Sequence, residues 1–499
     1  MIHSSTNLAV ALDEPGVFRR LLGALAPVKQ DEVVTMVVLT TNVFVLLTCY
    51  YVLKVLREPM ILLGGGAELK AYASAGQTLL LLGVVPAFSW LSSRVNRVRL
   101  LTTMQLIFIG CLLAFYALAH ARAPIGLAFY LWLGIFNILV VSNFWSFAND
   151  LYNEEQGKRL FAIIGVGASV GAIIGAFVPQ LLHRVLGMYA LMLVAAGGLA
   201  VSIALYRIAD RRERMRGRRA HSIAGGRPDE PAAAREPAMT RKGGFTLVVK
   251  DRYLRLLAAM LLIATVINST GEYVIGKLAT DRAKQVAAEV APAPAPAPAG
   301  AGPVAQSARS SGKPPAAVDS AQGRYLESFY SDYYTLVNLL SFVLQALVVA
   351  RLLTGLGIRR ALFVMPLIVL GGWLAVGLFV NVAIVRVEKT AENSLDYSLH
   401  NTLRQALFLP TDRDRKYKAK AAIDTFFFRM GDVIAGLGIV FLFVELLGLG
   451  VRAFAVLNVA LAVCWLALAA GAGRVHDRLA AAGGGAEARD RSRAGRHGE

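Results

Sequence analysis

The chain has 499 residues, of which 56% are hydrophobic and only 17% charged, where soluble domains carry about 25% charged residues. With a mean hydropathy of +0.54, this composition excludes a water-soluble enzyme. Lys and Arg total 52 against 33 Asp and Glu, a net charge of +19, which fits either a membrane protein with basic loops or a nucleic-acid binder, and the placement of the charge decides between them.

Residues 1–32 carry Asp13, Glu14, Pro15, Asp31 and Glu32 and show no cleavable signal peptide. Within them, Phe18, Leu21, Leu22 and Leu25 recur at helical spacing beside Arg19 and Arg20, which predicts a short interfacial helix in a cytoplasmic N-terminal segment. About twelve apolar runs follow, each of a length to span a bilayer. They fall near 33–55, 71–93, 98–120, 126–149, 159–183, 186–206, 253–277, 331–352, 361–382, 384–408, 422–447 and 451–472. The expected fold is therefore an all-α polytopic membrane protein.

Span one ends in Tyr50-Tyr51-Val-Leu-Lys54-Val-Leu-Arg57-Glu58-Pro59. Lys54 and Arg57 are three apart and share a helical face. Glu58 is four from Lys54 and is placed to neutralise it. This pattern fits a cationic clamp at a cavity or cations snorkelling at a helix end. In span five, Gly167, Gly171 and Gly175 repeat every four residues, the spacing of close helix contact rather than of a phosphate loop.

The segment 207–252 is strongly basic and reads as a cytoplasmic linker between a six-span half at 33–206 and another at 253–473. Its Arg211–Arg219 run has no aromatic interleaving, so lipid headgroups, and not nucleic acid, are its expected neighbours. Short basic loops after spans two, four, eight and ten, and the 474–499 tail, fall on the same side as this linker if both termini are cytoplasmic. A six-plus-six layout is that of transporters built from two halves around a midplane site.

Span seven contributes Asn268, Glu272 and Lys277, with Glu272 either facing a cavity or paired with Lys277. Residues 285–320 form an Ala/Pro-rich tract, read as a disordered external loop. Span ten is the most polar. Its Arg386, Lys389, Asn393, Asp396, His400 and Arg404 step by three or four residues along one face, with Glu388 and Glu392 on an adjacent strip. Such a helix cannot face lipid, so it lines water or lies inside the bundle. The next loop and span add Lys416, Lys418, Lys420 and Asp424, then Arg429 and Asp432 three apart. Glu58, Asp424, Arg429 and Asp432 are read as gating or structural pair members.

The three cysteines, Cys49, Cys111 and Cys464, sit in separate apolar runs and form neither a metal site nor a disulfide framework. No Walker motif, nucleophile elbow or cofactor signature appears, so no enzyme activity, metal or cofactor is expected. The intramembrane cations point to an anionic substrate held by charge-assisted hydrogen bonds.

The sequence resembles the nucleotide transporter family of ATP/ADP translocases, in a divergent branch from free-living bacteria. The resemblance rests on Tyr50–Glu58, Gly66-Ala-Glu-Leu-Lys70, Phe144–Asp150, Lys158–Ala168, Tyr397-Ser-Leu, Leu409-Pro and Lys416-Tyr-Lys-Ala-Lys-Ala-Ala-Ile-Asp424. It implies a major-facilitator-like fold of twelve spans and exchange of nucleotides without hydrolysis. It also implies substrate contacts for Arg57, Glu272, Lys418 and Lys420. Two departures bear on substrate charge and coupling ion: span four has no acid, and Asp396 stands where the exchangers usually carry lysine. The expected protein is a multi-pass inner-membrane transporter, monomeric, for a nucleotide or other phosphorylated anion. Its expected substrate-binding set is Lys54, Arg57, Glu272, Lys389, Asn393, Asp396, His400, Arg404, Lys418 and Lys420. The rivals are a proton-coupled carrier of another organic anion and a non-transporting scaffold.

Overall fold

A computed structural model describes residues 32–92, 97–152, 154–224, 244–290, 320–408, 411 and 419–496. The expected helix at Val17–Leu25, most of the Ala/Pro tract, and Lys416 and Lys418 lie outside these residues.

Helices account for nearly all of the described residues, and no strand is present among them. α1 (Val33–Ser92) is one element bent into two legs, with Gly65 and Gly66 at the bend. Gly66 has φ of 73°, the left-handed region in which a side chain is strained. The turn therefore takes only two non-helical residues. α2 (Arg97–His120), α3 (Gly126–Leu151), α4 (Glu154–Leu186) and α5 (Leu191–Ala224) complete the first half.

The second half opens with the short α6 (Gly244–Lys250), followed by α7 (Arg252–Val290). α8 (Ala321–Val343) runs on through a π-helical stretch, Leu344–Val349, into Ala350–Ala361. α9 is Val364–Leu378. α10 (Val382–Leu395) begins where the Asn381 side chain accepts a hydrogen bond from the Ala383 N–H at 2.7 Å. It continues through a π turn, Asp396–His400, into Asn401–Ala406. α11 starts at Lys420–Ala422 and alternates α and π geometry through Ile423–Phe427, Phe428–Val433 and Ile434–Leu446. α12 is Val451–Arg496.

With α1 counted twice and the short α6 set aside, the described residues form twelve helical passes. Eight of the helices are long and apolar enough to cross a bilayer on their own. Apolar side chains such as Leu106, Ile107, Leu113 and Val185 are exposed on the outside, as lipid-facing surfaces require. The interior of the first half is dense with aromatic residues, including Phe129, Phe136, Phe144 and Phe147, all essentially fully buried.

The glycine spacing in α4 has a direct structural counterpart. A Cβ placed on Gly167, Gly171 or Gly175 would come within 2.4 to 2.7 Å of the carbonyl oxygens of Thr40, Phe44 and Thr48 respectively. The backbones of α4 and the first leg of α1 thus touch at three successive turns, an approach that any larger residue prevents.

Candidate functional site

A central cavity of about 160 Å³, open in part to its surroundings, lies between the two halves. The first leg of α1 contributes Lys54 and Arg57, and the second leg contributes Lys70 and Ser74. α3 adds Tyr130, α7 adds Asn268, Ser269, Glu272 and Tyr273, and α8 adds Tyr334. The other side consists of Asn393, Asp396 and Tyr397 from α10 with Asp432 from α11.

A ladder of alternating charges runs through the wall. Arg57 pairs with Glu58, whose side chain is fully buried. Lys70 Nζ lies 2.8 Å from the other Glu58 oxygen and 3.1 Å from Glu272 Oε2. Lys389 Nζ lies 4.0 Å from Glu272 Oε1 and 2.9 Å from Glu392. The ladder therefore crosses from the first half to the second at Lys70 and Glu272. Its members carry supporting hydrogen bonds, which a buried ion pair needs to offset desolvation. Tyr334 donates to Glu58 at 3.0 Å. Asn393 Nδ2 donates to Tyr333 Oη at 2.6 Å and to Glu272 at 3.3 Å. Lys389 also donates to Asn268 Oδ1 at 2.7 Å.

Lys54 stands apart from this ladder. Its ammonium lies 4.1 Å from the Tyr334 ring centroid, 5.1 Å from Tyr51 and 5.9 Å from Tyr397. Among the described residues no carboxylate lies within ion-pair distance of it. Three aromatic faces hold the charge by their quadrupoles while leaving it uncompensated at the cavity wall. Arg57 is also stacked, 4.3 Å over the Tyr130 ring.

The two halves exchange further bonds around the cavity. Thr78 of the first half donates to Asp432 at 3.5 Å, and Ser269, within the second half, donates to the other Asp432 oxygen at 2.6 Å. Tyr273 donates to Glu68 at 3.0 Å, and Tyr72 to Glu445 at 3.1 Å. Ser331 and Asn338 donate to the carbonyls of Ala176 and Ala172. These contacts lie on both sides of the cavity: Glu68 is nearer the Gly65–Gly66 turn than Lys70, whereas Thr78 lies beyond Ser74, and Ala172 adjoins Gly171, which packs on Phe44 ten residues before Lys54. Gly436 reinforces them, since a Cβ there would lie 2.5 Å from the Ala71 carbonyl oxygen.

The structure sorts the sequence candidates by place. Lys54, Arg57, Glu272, Asn393 and Asp396 line the cavity, and Lys389 lies directly behind Glu272. Glu58 turns to Arg57 and Lys70 and leaves Lys54 alone, so the expected Lys54–Glu58 pairing is not formed. Glu272 likewise meets Lys70, while Lys277 lies 3.7 Å from Glu68. Arg429 and Asp432 do pair, at 3.9 Å.

His400 and Arg404 border a separate, mainly apolar pocket with Leu257, Leu403 and Phe408. Lys420 sits 3.8 Å from Asp424, which is also 3.8 Å from Arg404. The face of span ten read from the sequence therefore breaks after Asp396. The π turn at Asp396–His400 inserts extra backbone and rotates the residues beyond it by about 100° per added residue.

Sequence reasoning passed over Lys70 as a site residue, together with Tyr130 and Tyr334. A lysine opening the second leg of α1 just past a glycine turn was the available signal for the first. The tyrosines carry no signal that separates them from ordinary packing aromatics.

Residues 39–280 match the Major Facilitator Superfamily, and residues 333–473 match the TLC ATP/ADP transporter family. No curated protein matches by sequence. Among solved structures, a POT family transporter in complex with 5-aminolevulinic acid superposes with a TM-score of 0.57 at 13% identity, covering 93% of this chain and 98% of that one. A bacterial homologue of the iron transporter ferroportin, in an inward-facing state, gives 0.57 at 10% identity over 88% and 99%. A nucleoside transporter gives 0.56 at 11% identity over 87% and 99%. At these identities the likeness concerns the fold.

Twelve helical passes among the described residues, a cavity walled by both halves and these matches define a polytopic membrane transporter of the major facilitator fold. More particularly, its first half is similar to the Major Facilitator Superfamily and its second to the TLC ATP/ADP transporter family.

Proposed function

We propose that this protein is a secondary transporter that moves nucleotides, or a closely related phosphorylated anion, across the bacterial inner membrane by alternating access. The observation that carries this reading is Lys54. A charge inside a span costs about 2.5–3.5 kcal/mol on the insertion scale, yet this one has an aromatic cage in place of a counter-ion. A substrate anion supplies the missing partner. Lys70 and Arg57 flank the same cavity and would take further phosphate oxygens on release from Glu58 and Glu272. Tyr130, Tyr334 and Tyr397 offer ring faces against which a base can lie. The TLC match over the second half supports a nucleotide over other anions.

In this reading both termini and the 207–252 linker are cytoplasmic, so the glycine-turn end of α1 faces outward. The 285–320 tract is then an external loop, and 474–499 a cytoplasmic tail. The protein works as a monomer within the bilayer, uses no cofactor, performs no bond chemistry on its substrate and binds no nucleic acid.

The test is uptake of labelled ATP and ADP into proteoliposomes, with other phosphorylated anions as competitors. Lys54→Ala removes the uncompensated charge and is expected to raise the half-saturating concentration by about tenfold, the equivalent of 1.4 kcal/mol. Saturable uptake that is indifferent to Lys54→Ala sinks this assignment of the site.

A further inference from the structure

Behind the cavity wall, on α10, lies a pair of carboxylates that substrate recognition does not use. Glu388 and Glu392 are one helical turn apart and are 5% and 2% exposed. Lys389 lies between them in sequence and is 0% exposed, with its ammonium committed to Glu392 at 2.9 Å. Neither Glu388 oxygen has a hydrogen-bond donor. Glu392 follows it by one turn on the same helical face. A buried carboxyl with no donor avoids the desolvation cost of a charge by holding a proton.

The surroundings offer no other solution. α9 presses its backbone against the pair, since a Cβ on Gly372 would lie 2.4 Å from Glu388 Cγ, and Trp373 of α9 is fully buried nearby. The charged and titratable groups facing the pair are Lys389 on its own helix, Glu272 from α7 and Tyr333 from α8. Of these only Lys389 is a cation.

We propose that Glu388 and Glu392 together form a proton-binding site, and that its occupancy is coupled through Lys389 to the anion site, making the protein a proton–anion symporter. The coupling part rests on the transport reading above. The proton comes from water, forms one O–H bond on the carboxylate pair, and returns to water when that bond breaks.

The geometry gives the direction of coupling. With the proton in place, one of the two carboxylates is neutral and Lys389 remains shared between Glu392 and Glu272. With the proton gone, two carboxylates compete for Lys389 and draw it from Glu272. Glu272 then holds Lys70 more tightly and withdraws that cation from the cavity. Proton and anion therefore favour each other's binding, and by linkage the effect is reciprocal.

Wild-type protein and Glu388→Gln are compared in two ways. Proteoliposomes loaded with unlabelled ATP measure counterflow of labelled ATP, which needs no gradient. Empty proteoliposomes measure labelled ATP uptake under an imposed acid-outside gradient, where one pH unit supports about tenfold accumulation per proton carried. Separately, infrared difference spectra across a pH titration report the protonated-carboxyl stretch without any substrate. The expected result is that wild type shows counterflow, gradient-driven accumulation and a titrating carboxyl band. Glu388→Gln keeps counterflow and loses both the accumulation and the band.

Counterflow in wild type with neither gradient response nor band overturns the proton site and leaves the transport reading standing. A band that Glu388→Gln abolishes, without counterflow of ATP, upholds the proton site and removes the nucleotide assignment. A band or gradient response that persists in folded Glu388→Gln overturns the proposal. If that variant does not fold, a shift of the band in Glu388→Asp carries the same test, and an unshifted band overturns it.

Discussion

Two groups of charged residues in this protein use the same chemistry in opposite settings. The central ladder of Arg57, Glu58, Lys70, Glu272, Lys389 and Glu392 links the halves, with Glu58 and Lys389 wholly enclosed. The second group, Arg404, Lys420 and Asp424, sits where α10 ends and α11 begins, with side chains about a quarter exposed and pair distances of 3.8 Å. The side chains of the second group keep part of their surface open to water, although the Arg404 Nε and Asp424 Oδ1 atoms that face each other are buried. In the ladder Glu58 and Lys389 are enclosed and only Glu272 opens appreciably to the cavity, so the charges there depend on their neighbours, and a change at one rung is felt at the next. Long-range response therefore belongs to the ladder, while the second group, with long and partly exposed pairs, is the more easily made and broken.

The sharpest way to break this contrast is Glu58→Ala. It strands Arg57 and Lys70 without their shared counter-ion and is expected to cost about 3–5 kcal/mol, read as a lowered unfolding temperature in detergent. Next comes the seam that positions the ladder's first rungs. Gly171→Val puts a side chain against the Phe44 carbonyl oxygen, 2.4 Å from the new Cβ, and is expected to cost about 1–3 kcal/mol. Asp424→Asn should be the mildest, within about 1 kcal/mol, since it removes only long, partly exposed pairs. Comparable melting shifts for Glu58→Ala and Asp424→Asn would dissolve the distinction between the two groups.

How much of this was open to reading from the sequence depends on how each residue acquires its neighbours. The alternation of apolar runs dictated the all-helical membrane fold, and the four-residue glycine spacing in α4 dictated a close helix contact whose partner, the first leg of α1, became visible only in three dimensions. Lys54, Arg57, Asn393 and Asp396 were legible because an intramembrane polar residue must face something other than lipid. Lys70 was not, because its importance comes from Glu272, 202 residues away. His400 and Arg404 show the limit of helical periodicity. Sharing a face is not sharing a depth: Arg404 lies eleven residues beyond Asn393, about 16 Å along an ideal helix, and a π turn intervenes. Nothing in a spacing rule anticipates that turn.

The Gly65–Gly66 bend has a consequence for how such a protein can vary. It is the sole connection between the leg that carries Arg57 and Glu58 and the leg that carries Lys70, and with only two residues out of helical geometry it acts as a ruler. The spacing of three ionised side chains is thereby recorded in the length of a loop that contains none of them. A single inserted residue there would re-index the whole rung while leaving every charged residue in the sequence intact. Lineages that retune the site therefore have a route through loop length as well as through substitution, and a comparison confined to the charged positions would overlook it.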